Sequence, residues 1–213
     1  MKIVLFGASG TIGSRIAREA LARGHDMTAV VRDSAGVRAG GEHLGAERGD
    51  VTNVADVARV ARGAEAIVSA VAPTGGQALS MLTDAARALI AGARKAGLKR
   101  LVVVGGAGSL EVPEGGRVMD RASFPDAWKP IAQAHADVLQ VYRTEAGGLD
   151  WTYLSPAGVI EPGVWTGRYR TGGDRLVVDD QGNSHISAED FAVALVDELE
   201  RPAHVGRRFT VAD

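Results

Sequence analysis

The stretch Lys2-Ile3-Val4-Leu5-Phe6-Gly7-Ala8-Ser9-Gly10-Thr11-Ile12-Gly13 decides the fold. Lys2 to Phe6 is a short β-branched and aromatic run, which reads as a buried strand. After the glycines, Ile12, Ile16, Ala17, Ala20 and Leu21 recur at helical spacing, with Arg15, Arg18, Glu19 and Arg23 on the other face. Gly24 stops that helix, and Met27 to Val31 gives a second strand. A strand, glycine turn, helix and strand make a βαβ unit. Each glycine in the turn has a mechanical role there: Gly7 permits the tight turn, Gly10 lets backbone approach a pyrophosphate, and Gly13 lets the helix pack close to the sheet. The free N–H groups of Thr11, Ile12 and Gly13, with the Ser9 hydroxyl beside them, then face the phosphates at the positive end of the helix. The spacing is G-x-x-G-x-x-G rather than G-x-G-x-x-G, so the position after a first strand carries the dinucleotide reading.

Outward from this unit, Arg32-Asp33-Ser34 follows the second strand. An acid at this place accepts from a ribose 2′-OH, whereas an arginine attracts a 2′-phosphate. Arg32 comes first, which favours NADP(H) over NAD(H), and Asp33 pulls the other way. Ala46 to Val51 reads as a third strand ending in Gly49-Asp50-Val51, and Asn53 to Arg62 as a helix. Asp50 either caps that region or accepts from an adenine amine, with capping favoured by spacing. Ala66 to Val71 is a fourth strand whose last residues, Ala70 and Val71, border the cofactor. It opens into the loop Ala72-Pro73-Thr74-Gly75-Gly76. A helix from about Gln77 to Ala96 and a fifth strand, Leu101 to Val104, complete a β-α-β-(α)-β-α-β-α-β order. That order predicts an α/β fold, a Rossmann-type doubly wound parallel sheet.

The rhythm then changes. Residues 105–124 read as a long loop with room for a short helix. Trp128 to Glu145 is a helix, Trp151 to Leu154 a sixth strand, and Val159 to Ile186 a turn-rich segment with strand-like runs such as Arg175 to Asp179. Ser187 N-caps a last helix, and Phe209 to Val211 closes as a strand. Residues 1–213 thus read as one NAD(P)-binding domain with a small C-terminal substrate-side lobe, its substrate-side segments at about 105–128 and 157–187.

The 213 residues are 46% hydrophobic and 23% charged, ordinary for a globular chain. A net charge of −2 argues against nucleic acid and anionic membrane as partners. No apolar run reaches membrane-spanning length, no signal-peptide layout opens the chain, and cysteine is absent, so a cytoplasmic protein with a small-molecule substrate is expected. The five histidines show no metal-ligand spacing, and no metal is expected.

The Gly7–Gly13 turn, Gly49-Asp50-Val51, Gly105-Gly106-Ala107-Gly108-Ser109, Trp151-Thr152-Tyr153-Leu154-Ser155-Pro156 and Ile186-Ser187-Ala188-Glu189-Asp190 resemble the short-chain dehydrogenase/reductase superfamily over essentially the whole chain. In detail the chain is similar to the atypical NAD(P)H-binding branch, the NmrA-like proteins and biliverdin IXβ/flavin reductases. That resemblance implies an active-site serine at Ser109 and a nicotinamide side lined by Pro156, Ala157, Gly158 and Val159. The better-known branches carry a tyrosine followed four residues later by a lysine. Here Tyr142 is followed at that spacing by Ala146, Tyr153 by Ala157 and Tyr169 by Gly173. His135 stands nearest the expected place, either as a proton donor at neutral pH or as a histidine filling a core niche. Ser109 likewise reads either as a hydroxyl for a substrate carbonyl or as a turn serine. A hydride donor without a strong acid–base pair suits an acceptor that spreads charge over a conjugated system. The expectation is an NADPH-dependent reductase of a flavin, quinone or similar acceptor. The alternatives are a non-catalytic NADP(H)-binding redox sensor of the NmrA-like kind, or a biosynthetic reductase or isomerase.

Overall fold

The apolar run at the start forms β1 (Lys2–Phe6), which lies between two parallel neighbours, β2 (Asp26–Val31) and β4 (Ala66–Ser69). In the computed structural model, which describes residues 1–32 and 43–213, β3 (Leu44–Arg48) pairs with the far side of β2. Asp33 and Ser34 lie outside the described residues. Beyond β4 come β5 (Arg100–Val104), β6 (Asp150–Ser155), β10 (Arg207–Ala212) and the antiparallel edge strand β8 (Arg170–Gly172), giving the order β3-β2-β1-β4-β5-β6-β10-β8. The chain winds outward from β1 in both directions, so the strand order reverses between β1 and β4, and their carboxyl ends open a crevice.

Side-chain alternation along these strands divides the core. Val4, Phe6, Ile67, Leu101 and Tyr153 pack with helices α2 (Val54–Val60), α3 (Met81–Ala96) and α4 (Lys129–Glu145). Ile3, Leu5, Ala66, Val68 and Leu154 pack on the opposite face with α1 (Thr11–Ala22) and α5 (Ala188–Glu200). Coverage of both faces is the physical reason the strands read as uninterrupted apolar runs.

Three of the differences from expectation have an evident cause. The third strand ends at Arg48, because Gly49 gives its N–H to Val31 and the chain then turns through Asp50. The third helix begins at Met81 rather than Gln77, since Gly75 and Gly76 both have positive φ and fold Gln77 back onto Thr74. Arg175 to Asp179 forms no strand beyond an isolated bridge from Arg175 to Glu111; the edge strand is β8 instead. The long loop after β5 carries short 3-10 turns at Val118–Asp120 and Asp126–Trp128.

The turn-rich segment from Val159 to Ser187 is tied to α5. A two-stranded parallel ladder, β7 (Val159–Glu161) with β9 (His185–Ser187), leads into the helix. Ser187 caps it by accepting from the Asp190 N–H at 3.0 Å. The buried Asp190 carboxylate accepts from the Thr166 and Gly167 N–H groups, both at 2.8 Å, and from the Thr166 hydroxyl. That carboxylate pins residues 162–168 to the first helical turn. Among the described residues no helix is long and apolar enough to cross a membrane.

Candidate functional site

The carboxyl ends of β1 to β4 enclose a cavity of about 560 Å³, within the range of small-molecule sites. Gly7, Ser9 and Gly10 of the turn before α1 line it together with Arg32, Asp50, Val51, Ala70 and Val71. A second cavity, of about 430 Å³, lies under the 163–170 loop. Among its polar side chains, Asp190 is committed to Thr166 and His185 to Asp213. The crevice at the switch point, which the glycine turn lines, is the candidate site.

The three glycines of the turn differ in what holds them. Gly7 has φ +86°, and a Cβ there would stand 2.3 Å from the Ala70 carbonyl oxygen. A Cβ on Gly13 would stand 2.0 Å from the Gly7 carbonyl oxygen. The backbone itself demands both glycines. Gly10 is different: its φ is −75°, and a Cβ would meet only the Gly7 oxygen at 3.4 Å, an ordinary contact. Nothing in the protein requires a glycine there, and the space its missing Cβ leaves open belongs to the cavity.

The N-terminus of α1 supports the same conclusion. It has no side-chain cap and no acid in its first turn. Asn53 caps α2 by accepting from the Ala55 and Asp56 N–H groups and Ser187 caps α5, whereas α3 and α4 share the uncapped start of α1. Uncapped N–H groups and the helix dipole together suit an anion. Asp50, read above as a capping candidate, does not cap α2. Its carboxylate accepts from the N–H and hydroxyl of Thr52, both at 2.8 Å, so it holds its own loop and borders the cavity.

Thr11, Ile12 and Gly13 form the first turn of α1 but do not line the cavity, and neither do Pro156, Ala157 and Val159. Pro156 and Ala157 are buried past the end of β6, and Val159 is exposed. Thr52, Thr74, Gln77 and Met81 do line it. None of these four stood out in the sequence; the only signal for Thr74 was its place in a loop at the carboxyl end of the fourth strand.

His135 lies behind the cavity wall. Its ring shares a crevice with Ser69, Val71 and Val104, and Val71 also lines the cavity. A Cβ on Gly106 would stand 3.0 Å from the His135 side chain, so the loop after β5 presses on that ring. Burial lowers the His135 pKa, which keeps the imidazole neutral at neutral pH. Ser109 is engaged elsewhere: its hydroxyl accepts from the buried Arg208 guanidinium at 2.8 Å, and Arg208 also binds Asp174. The tyrosine hydroxyls are all directed into the protein. Tyr153 donates to the His135 carbonyl at 2.8 Å, Tyr169 donates to Asp197 at 2.6 Å, and the Tyr142 hydroxyl is buried without a partner. Burial pushes all three phenols above their ordinary pKa.

Comparison with known proteins places these features in context. Residues 7–202 match the model of a family described as NAD(P)H-binding. A Burkholderia pseudomallei structure, provisionally named an exported protein, is 47% identical with TM-score 0.90, covering 100% of both chains. A Bacteroides thetaiotaomicron structure, provisionally named an epimerase, is 42% identical with TM-score 0.90, covering 99% of this chain and 96% of that one. A Streptococcus pneumoniae TIGR4 structure, provisionally named an NADH-flavin reductase, is 32% identical with TM-score 0.86, covering 100% of this chain and 99% of that one.

Proposed function

The chain belongs to the NAD(P)H-binding family, and from that premise we propose that it is a reductase transferring a hydride from NADPH to a planar conjugated acceptor such as a flavin or quinone. Gly10 at the uncapped start of α1 and the Ser9 hydroxyl would hold the pyrophosphate, Arg32 and Asp50 would hold the adenosine end, and Arg32 would take the 2′-phosphate. The observation that carries the reading of the reaction is the placement of the phenols. With Tyr142, Tyr153 and Tyr169 all turned inward and His135 neutral, no strong acid faces the crevice.

When bound, the nicotinamide supplies a hydride, and a proton from water completes the reduction of the acceptor. The protein contributes position rather than proton transfer, with Ala70 and Val71 lining the cavity beside the glycine turn. The name of the Streptococcus pneumoniae relative is in keeping with a flavin acceptor, although that name specifies NADH. The choice of NADPH rests on Arg32. The same inward-turned phenols also suit a non-catalytic NADP(H) sensor, and turnover separates the two readings.

The test is to titrate NADP⁺ and NADPH and then follow NADPH absorbance with FMN and with a quinone dye. Oxidation of NADPH that depends on acceptor supports the reductase. An absence of turnover with every acceptor, together with equal affinity for both oxidation states, overturns it.

A further inference from the structure

Arg32 is not a loose surface arginine. Its Nη2 donates to the Thr74 hydroxyl at 2.9 Å, spanning the mouth of the cavity from the end of β2 to the loop after β4. The Thr74 hydroxyl donates in turn to the Gln77 side-chain oxygen at 3.3 Å, and the Thr74 N–H donates to the same oxygen at 3.1 Å. Since the Thr74 N–H only donates, the Gln77 amide must present its oxygen here, which fixes the amide's orientation. With its proton drawn to Gln77, the threonine hydroxyl turns a lone pair toward Arg32. The backbone makes this arrangement possible: Gly75 and Gly76 have φ +60° and +79°, and Gln77 gives its N–H to the Thr74 carbonyl at 3.2 Å. Two consecutive left-handed residues close a tight turn that places Gln77 against Thr74.

All three side chains line the cavity. Among the described residues no carboxylate forms an ion pair with Arg32. One guanidinium N–H is committed to Thr74, and among the described residues the other four donors meet no partner. A guanidinium held by a neutral partner keeps its charge for a phosphate and loses less side-chain freedom on binding it.

We infer that Thr74, oriented by Gln77, is the positioning residue that aims Arg32 at the 2′-phosphate and thereby sets the preference for NADPH over NADH. This rests on the reading of Arg32 given above. The contact made to the phosphate is Arg32's alone; Thr74 and Gln77 act through it.

The test is fluorescence titration of NADPH and NADH against the wild-type protein, Arg32→Gln, Thr74→Val, Thr74→Ser, Gln77→Leu and the Arg32→Gln/Thr74→Val double variant. Thr74→Val is expected to weaken NADPH about three- to tenfold, the effect of one hydrogen bond, while NADH changes less than about twofold. Thr74→Ser keeps the hydroxyl and retains the preference, Gln77→Leu gives a smaller loss of the same sign, and the double variant is no worse than Arg32→Gln alone. If Arg32→Gln removes a wild-type preference for NADPH but Thr74→Val does not, the positioning role is overturned and the role of Arg32 stands. Equal weakening of both cofactors by Thr74→Val also overturns it, as that marks a general loop defect. A wild-type protein with no preference for NADPH overturns both readings at once.

Discussion

Substituting Gly10 by alanine separates what the fold needs from what the cofactor needs. Gly10 is the N-cap of α1 with φ −75° and ψ 168°, a conformation alanine adopts freely. The added methyl meets only the Gly7 carbonyl oxygen, at 3.4 Å. Glycine-to-alanine at an N-cap costs helices roughly 0.5–1 kcal/mol, and the stiffer unfolded chain returns about 0.4–1 kcal/mol. Folding stability should therefore shift by less than about 1 kcal/mol. Under the proposed placement of the pyrophosphate, cofactor binding should not be spared, because the methyl would stand between it and the first N–H groups of α1. Losing one such charge-assisted bond, worth about 1.5–3 kcal/mol, weakens NADPH binding roughly ten- to hundredfold. Urea denaturation and NADPH fluorescence titration on the same sample read the two quantities. Gly13→Ala is the control: its Cβ would stand 2.0 Å from the Gly7 carbonyl oxygen, and the overpacking costs folding roughly 1–3 kcal/mol or more. A Gly10→Ala protein that is stable and binds NADPH within twofold of wild type would refute the placement of the pyrophosphate.

Three further predictions concern the framework. The pKa of His135 is lowered by burial and that of His185 is raised, chiefly by its hydrogen bond to Asp213, so they act on stability in opposite directions. Below the unfolded value of about 6.5, the unfolded chain takes up a proton that His135 refuses, so stability falls as pH drops; the His185 contribution is full below about 6.5 and fades as pH rises through its folded pKa. Urea midpoints over about pH 5–8 should show His135→Gln flattening the acid side and His185→Gln flattening the alkaline side. Glu198→Ala leaves the buried Arg100 guanidinium without the carboxylate it meets at 2.9 Å and also frees the His204 ring and N–H, so a loss of about 3–5 kcal/mol is expected in the same assay. Tyr142→Phe removes a buried hydroxyl that has no partner, and the variant should match or exceed wild-type stability, by up to about 1–3 kcal/mol.

How much of this was legible in the chain depends on whether the controlling interaction is local. The β1–α1–β2 unit, the apolar strands and the Ser187 cap all follow from neighbours within a few residues, and the sequence alone determined them. Gly13, whose close partner is the turn's own Gly7, belongs with them, whereas Gly7 is held against Ala70 just past β4, a contact that exists only in the folded sheet. The boundaries at Arg48 and Met81 needed the structure, because a hydrogen bond from Gly49 to Val31 and a two-glycine turn ended the periodic pattern early.

The site divides along the same line. Gly7, Ser9, Gly10, Arg32, Asp50, Val51, Ala70 and Val71 stand in the sequence beside strand ends, and the sheet gathers those ends at one edge. Which of their neighbours join them is a matter of side-chain direction across long separations. Thr74 reaches Arg32 over 42 positions, and Arg208 takes the Ser109 hydroxyl over 99. No spacing rule reports such pairs, since they exist only once parallel strands have stacked. By itself the sequence determined a dinucleotide-binding fold and the glycine turn that joins its first strand to its first helix. Only the tertiary structure decided that Gly10 is free of any demand from the backbone, that Ser109 is held by Arg208, and that Arg32 is braced across the mouth of the cavity.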